Sequence, residues 1–566
     1  MLTPRRSRSA PQHAIYGSFS APKSQEVVLS RGSNVLELVR PDEQGVLKTL
    51  CSTNVFGNIR SLQPFRFPGS HEDYIIVGSE SGRIVILKVV GSSSGRDAAP
   101  SAYRFQKVHQ ETYGRSGNRR IVPGEYLAVD PKGRACMVGA LEKQKFVYVL
   151  NRDTDAQLTI SSPLEAHKSY HVVYDIVGMD MGFENPQFAA IELDYGEVDL
   201  DPSGEAADEA MKQLVVYELD LGLNSVTRKS SVDIDNGASK LIAVPGIADN
   251  GPGGLLVCCE NYIIYRSGDS DQAVELRTAI PRRAELPLDR GVLVTASAML
   301  KQKNRFFTFV QTEHGDLFKV SLEHDGAEVS ELKVKYFDTI PPATSMCIFR
   351  KGFLFAASEF GDHHLYQFLG LGDDDAVESS SVEVKLENGG YDVGSLAMDI
   401  DGITGQVTFE PRFPMVNLDK IDTMPSLAPT LDMKIANLLG EESPQIFCAC
   451  GRGAQSTVRM LRPGLQVNEL ADSELQGNPI AVFTMKRDPS DQHMSYGVVS
   501  FSNASMVLKM GESIEPTDET GFNDKVQTIG ASCMHDGTFV QITPTGIRHV
   551  QEKGRVSEWD AGKRNI

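Results

Sequence analysis

A short antiparallel hairpin with a glycine or asparagine in its turn recurs along this chain, and no other feature constrains the fold as tightly. VVLSRGSNVLEL turns at Gly32, YIIVGSESGRIVIL at Gly82, YLAVDPKGRACMV at Gly133 and FAAIELDYGEV near Gly196. LLVCCENYIIY turns at Asn261, FFTFVQTEHGDLFKV at Gly315 and FLFAASEFGDHHLYQF at Gly361. The intervals are 50, 51, 63, 65, 54 and 46 residues. Apolar runs separated by Gly, Asn and Asp-Pro breakers read as strands in a meander. A repeat of this length built from short strands marks a β-propeller, because a four-stranded blade cannot bury its two faces alone and must stack in a ring. Seven hairpins by residue 370 predict an all-β fold whose first domain, residues 15–370, is a seven-bladed propeller.

The texture changes at Gly370. Residues 371–405 are rich in Gly, Asp, Glu and Ser and hold no sustained period, which predicts a linker with an insertion. A second hairpin series follows, with turns near Gly453, Asn503 and at Gly546. Val407-Thr408-Phe409 opens it, so residues 406–566 are expected to form an incomplete second propeller. A short helical turn is expected within Ser426 to Leu439. Residues 1–14 carry Arg5, Arg6 and Arg8 among serines and are expected to be an unstructured leader before strand sequence begins at Ile15. The single Trp559 sets this chain apart from WD-repeat propellers, whose blades repeat a Trp-Asp signature.

The formal net charge of −19 disfavours a direct nucleic-acid binder, since an acidic surface repels phosphate. No run approaches the roughly 18 apolar residues that span a bilayer, so no membrane partner is expected. Eight cysteines in 566 residues are too sparse for a disulfide framework. Cys448 and Cys450 share a strand face but lack a second ligand pair, so they read as core residues and no metal or cofactor is expected.

Three acidic stretches were weighed as calcium loops. In Asp199-Leu200-Asp201-Pro202-Ser203-Gly204 the twelfth position is Ala210, and in the stretch from Asp233 it is Val244. A bidentate glutamate belongs there, so both read as solvated loops, as does Asp373-Asp374-Asp375. His363 and His364 are adjacent in a strand and point to opposite faces. There is no nucleophile elbow, HExxH or phosphate-binding glycine loop. A channel-centred hydrolase or oxidoreductase remains the alternative from another class, because propeller catalytic residues need not be close in sequence. The basic spots are candidate partner contacts: Arg119 and Arg120, the tip Glu142-Lys143-Gln144-Lys145, and Arg282 with Arg283. Hairpin tips carry binding surfaces more often than strand interiors do.

Long strings of this sequence resemble the large-propeller family typified by the third subunits of splicing factor 3B. They include IVPGEYLAVDPKGRA (Ile121 to Ala135), EKQKFVYVLNRD (Glu142 to Asp153), LTISSPLEAHK (Leu158 to Lys168) and GFENPQFA (Gly182 to Ala189). Further strings are YELDLGLN (Tyr217 to Asn224), KYFDTIP (Lys335 to Pro341), GFLFAASEFGDHHLYQ (Gly352 to Gln367), ACGRGAQSTVRMLRPGL (Ala449 to Leu465) and GIRHV (Gly546 to Val550). The wider family also includes the large DNA damage-binding subunit and the largest cleavage and polyadenylation specificity subunit. The resemblance implies a nuclear, non-enzymatic scaffold of the U2 small nuclear ribonucleoprotein that acts in branch-site recognition. It implies three partners: a HEAT-repeat subunit, a very small subunit and a PHD-finger-like zinc subunit, with RNA reached indirectly through the complex. It also implies three propellers and a helical C-terminal domain, of which this sequence covers roughly the first half. The Arg/Ser segment before Ile15 stands where the family has an apolar strand, which puts closure of the first ring in question.

Overall fold

The computed structural model describes residues 11–562, apart from 92–102, 115–123, 153–157, 383–406, 463–474 and shorter interruptions. It is built from strands, with one five-residue helix, Glu205–Glu209, among the described residues. The chain divides into two compact units, residues 1–464 and 465–566.

Among the described residues, seven sheets of the first unit follow one another in chain order, each a meander of four main strands, besides a two-stranded and a three-stranded sheet. Their innermost strands are Pro11–Gly17, Ile59–Phe65, Leu127–Val129, His171–Met179, Lys240–Ala243, Val294–Gln302 and Ala343–Phe349. Each lies beside the next, and the last returns to the first. The closing contact is bonded in both directions: the Ala14 amide donates to Ser345 Oγ at 3.1 Å, and that hydroxyl donates back to the Ala14 carbonyl at 3.0 Å. The inner strands approach so closely that a Cβ at Gly178 would stand 2.2 Å from the Val129 carbonyl oxygen.

Blade packing explains the sequence pattern. Glu26–Arg31 is buried at every position because both faces of its sheet meet a neighbouring blade. The period of two divides those residues: Val28 joins the core shared with the second blade, while Val27 and Leu29 join Cys347, Phe349, Phe355 and Leu365 of the seventh. The outer strand Ser225–Ile234 instead alternates with solvent. A closed ring of seven blades has seven inter-blade interfaces, and the first unit has seven separate apolar clusters, one at each.

Four expectations need correction. Pro11–Gly17 is a paired inner strand, so strand structure begins before Ile15 and the ring closes; residues 1–10 lie outside the described residues. The ring does not end at 370. The outer strand of the seventh blade is Leu418–Met424, paired with His363–Phe368. The chain between them wraps the sixth blade: Glu378–Ser380 pairs with Glu328–Thr339, and Thr408–Phe409 pairs in parallel with Arg282–Arg283. Thr408–Phe409 therefore belongs to the first ring, and Phe409 packs 4.3 Å from Tyr336 between ring centroids. Third, the stretch expected to hold a helical turn contains the strand Thr430–Ala436, in a three-stranded sheet with Gln445–Cys450 and Thr457–Leu461. Last, the Gly133 turn joins the first and second strands of its blade, whereas the other six turns join the second and third. The equivalent connection of that blade lies between the strands Ala135–Leu141 and Gln144–Arg152.

Among the described residues the second unit holds two four-stranded sheets, Pro479 to Pro516 and Gly530 to Asp560; Met485, Tyr496, Val498 and Val507 of the first form a core against which Ala531 and Phe539 of the second pack. Leu431, Met433 and Ile435 of the first unit's three-stranded sheet are exposed, as are Ile480, Val482 and Trp559 of the second unit.

Three histidines, His171 and His364 buried and His13 half-buried, are expected to make the ring acid-sensitive. Burial holds His13, His171 and His364 at about 4, below the ordinary 6.5. Between pH 6.5 and 4 the unfolded chain binds protons that the folded chain refuses. Their contribution is complete above pH 6.5 and is lost as pH falls toward 4, at up to about 1.4 kcal/mol per pH unit for each histidine. His364→Gln is therefore expected to flatten the fall in urea midpoint between pH 7 and pH 5. An unchanged pH slope in that variant would refute the assignment. Comparing the variant with its parent cancels Asp175 and Glu192, which burial shifts upward.

Candidate protein-binding face

The basic residues singled out from sequence fall in three different settings. Arg119, Arg120, Glu142 and Lys143 lie outside the described residues. Gln144 is half-buried and reaches Glu165 Oε1 at 3.4 Å. Lys145 is not at a solvated tip. It is 2% exposed, with its ammonium 3.2 Å from Glu192 Oε2, and Glu192 accepts the Tyr217 hydroxyl at 3.0 Å. Burial pushes the Lys145 ammonium down and the Glu192 carboxyl up, while their mutual attraction opposes both shifts. Period two explains the location, because Lys145, Val147 and Val149 share a face and both valines are in the core between the third and fourth blades.

Arg282 is buried and donates to the Pro287 and Arg290 carbonyls. Arg283 grips Asp316 with two hydrogen bonds of 2.7 and 2.9 Å and donates to the His314 carbonyl at 2.9 Å. Asp316 also accepts Thr339 Oγ1 at 2.7 Å. Such bidentate pairs are rigid. Arg282 braces the connection between the fifth and sixth blades internally, and Arg283 ties it to the sixth blade.

The acidic loops have structural uses. The half-buried Asp201 carboxylate accepts Ala206 N at 2.8 Å and Ser203 N and Oγ at 2.9 and 2.7 Å, and these bonds hold it down at about 2. Asp235 accepts Gly237 N and the Tyr262 hydroxyl, each at 2.6 Å. His363 and His364 are both buried in the strand His363–Phe368. Cys448 and Cys450 are buried too, and among the described residues no three His, Cys, Asp or Glu side chains gather as a metal site.

The surface best built for a partner was not singled out from sequence. It lies where the innermost strands of the third to sixth blades end. Loops 130–134, 180–186 and 244–254 meet there, together with Lys301 at the end of Val294–Gln302. Asp180 is buried and accepts Gly246 N at 3.0 Å. A Cβ at Gly246 would come within 2.4 Å of the Asp180 carbonyl oxygen, so only glycine fits. Lys301 lies 3.8 Å from Asp180 and 3.7 Å from Asp249, and Lys132 lies 4.0 Å from Asp249. This charge network stitches four blades together.

On that frame stand large apolar side chains: Phe183 is 91% exposed, Leu223 79% and Ile247 70%. The loop bearing Phe183 is fastened at several points. Arg134 grips Asp130 and donates to the Glu184 carbonyl at 2.7 Å. Leu219 N donates to the Pro186 carbonyl at 2.9 Å, and Glu184 N to the Met181 carbonyl at 3.2 Å. A rigid, exposed aromatic beside aliphatic neighbours has the character of an interface anchor. The available signal was an aromatic among turn formers in Gly182-Phe183-Glu184-Asn185-Pro186.

Comparison with known proteins agrees with this architecture. The profile described as the RSE1/DDB1/CPSF1 first beta-propeller matches residues 10–389, and that of the second beta-propeller matches residues 467–566. The chain is 54% identical to Spliceosome-associated protein 130 A of Arabidopsis thaliana over 98% of its length, covering 43% of that relative. It is 49% identical to Splicing factor 3B subunit 3 of Drosophila melanogaster over 98% of its length, covering 43% of it. It is 48% identical to Pre-mRNA-splicing factor RSE1 of Mycosarcoma maydis over 96% of its length, covering 44% of it. The chain thus spans under half the length of these relatives, and with its blades and profile matches it belongs to the RSE1/DDB1/CPSF1 β-propeller family.

Proposed function

We propose that this chain is the N-terminal scaffold portion of a splicing factor 3B third subunit. It acts in the nucleus, without catalysis, by holding protein partners of the U2 particle during branch-site recognition. The observation that carries this reading is the identity of about half over nearly the whole chain to proteins named as splicing factors. The partners are the HEAT-repeat subunit, the very small subunit and the PHD-finger-like zinc subunit, with RNA reached through the complex. The face bearing Phe183, Leu223 and Ile247 is the contact surface in this reading, supported by its rigidity and exposed apolar area. Gln144 and Arg283, with the residues outside the described set (Arg119, Arg120, Glu142 and Lys143), supply peripheral contacts. Lys145 and Arg282 are buried and hold the blades that carry them.

Affinity capture from nuclear extract tests the assignment. A full-length subunit carrying this sequence is expected to retain a HEAT-repeat splicing factor. Phe183→Asp is expected to weaken that retention at least tenfold, at an unchanged unfolding midpoint, because an exposed anchor is worth about 2 kcal/mol or more in an interface and almost nothing to the free fold. Capture of ubiquitin-ligase components alone would move the assignment to the DNA damage-binding branch.

A further inference from the structure

The outer strand of the fourth blade, Ser225–Ile234, carries a segment that the scaffold reading does not use: Thr227-Arg228-Lys229-Ser230-Ser231-Val232. An arginine three residues and a lysine two residues before a serine, with an aliphatic residue after it, form the charge pattern that basophilic protein kinases read. Such a short pattern arises often by chance, so its placement in the fold decides whether it can be used.

Ser231 is exposed. Its strand ends the sheet, pairing among the described residues only with Lys212–Asp220. The backbone is therefore extended with one side open, the form in which a binding cleft takes a peptide. Period two would set residues 228 and 231 on opposite faces. A bulge prevents this. Val216 pairs with Ser230 and Tyr217 with Arg228, which leaves Lys229 as the extra residue. Arg228 and Ser231 thereby turn to the same side, and Arg228 Nη2 donates to Ser231 Oγ at 2.7 Å.

Arg228 is also a cation without a carboxylate partner. Its second acceptor is the neutral Gln213 Oε1 at 2.9 Å, and it forms no ion pair among the described residues. Glu192 lies within its field but is held by Lys145 at 3.2 Å. Lys229 is engaged with Glu218 at 3.3 Å. The Ser231 hydroxyl donates only to Gln213 Oε1, at 3.2 Å. An exposed serine thus stands against a guanidinium that lacks an anion.

We propose that Ser231 is phosphorylated by a basophilic serine kinase and that Arg228 holds the phosphate. Ser231 Oγ attacks the γ-phosphorus of ATP. The Oγ–P bond forms as the bond from that phosphorus to the bridging oxygen breaks, ADP leaves, and the hydroxyl proton passes to the catalytic base of the kinase. The product is a dianion whose oxygens accept from the guanidinium already in contact with Oγ. At the edge of a sheet that added charge also discourages pairing with another chain.

The test incubates the whole folded chain with magnesium ATP and the catalytic subunit of a cyclic-AMP-dependent protein kinase, and reads the sites by tandem mass spectrometry. Ser9, three residues after Arg6, reports that the kinase is active. Ser231 is expected to be modified about tenfold or more above the adjacent Ser230, and Ser231→Ala to remove the label from residues 230–240. Phosphorus NMR, with the signal assigned by its loss in Ser231→Ala, is expected to place the second phosphate pKa about half a unit or more below its value in the same chain unfolded in urea, because Arg228 favours the dianion. Phosphate at Ser9 with none at Ser231, phosphate on Ser230 in place of Ser231, or a second pKa no lower in the folded chain would each overturn the proposal.

Discussion

A chain cut at residue 381 is expected to lose the first propeller as a cooperative unit, whereas one ending at residue 464 keeps it. The outer strand Leu418–Met424 is reached only after a long excursion, yet it completes the seventh blade. Leu418 is 1% exposed and joins the core between the sixth and seventh blades. Met424 is 0% exposed and joins the core between the seventh and first. Two such side chains are worth roughly 3–6 kcal/mol of burial. Asp422 adds a tie to the first blade, accepting Leu47 N at 2.8 Å. The cut would also bare the edge of His363–Phe368, whose unpaired backbone invites association. Domain stabilities are typically about 5–15 kcal/mol, so the loss takes most or all of the margin. Thermal unfolding followed by circular dichroism separates the outcomes: a sharp transition for the 464 chain, and a broad or absent one, with aggregation, for the 381 chain. Matching sharp transitions would mean that Leu418–Met424 is dispensable.

Lys145→Met is expected to destabilise the first ring by about 3–5 kcal/mol at pH 7, the usual consequence of leaving one member of a buried ion pair behind. The stranded group is Glu192, fully buried and left, among the described residues, with the Tyr217 hydroxyl as its hydrogen-bond donor. Its carboxyl is already pushed up by burial, and losing the ammonium raises it further. The penalty is therefore expected to shrink as pH falls and Glu192 takes a proton. The double variant Lys145→Met/Glu192→Leu is expected to recover part of the loss, because an apolar pair of similar volume removes the stranded charge and leaves only the Tyr217 hydroxyl without its acceptor. Urea midpoints at pH 7 and pH 5 measure all three chains. A single-variant effect below about 1 kcal/mol would return Lys145 to the role of a surface charge.

Each of these results turns on a feature that sequence conceals to a different degree. The hairpins at Gly32, Gly82, Asn261, Gly315 and Gly361 were legible because a tight turn needs special residues and each blade repeats the need. Leu418–Met424 was not, because its partner strand ends at Phe368 and the composition between them reads as linker. The register of the third blade slipped for a related reason: Asp130-Pro131-Lys132-Gly133 is a stronger turn signal than anything in the sequence between the strands Ala135–Leu141 and Gln144–Arg152. Lys145 and Arg282 were read as surface charge because composition marks a residue as polar without saying what it faces. The alternation Lys145, Val147, Val149 did carry the answer. The face around Phe183 was the least legible part, since it is assembled from loops of several blades and shares no local spacing.

Cross-linking of the assembled full-length complex with an amine-reactive reagent tests the central claim most directly. Lys132 and Lys301 sit on the face that carries Phe183, partly exposed at 24% and 44%. Lys240 begins its inner strand and so lies toward the opposite mouth of the ring. The account predicts cross-links from Lys132 and Lys301 to the HEAT-repeat subunit. Cross-links to that subunit from Lys240 with none from Lys132 or Lys301 would contradict it.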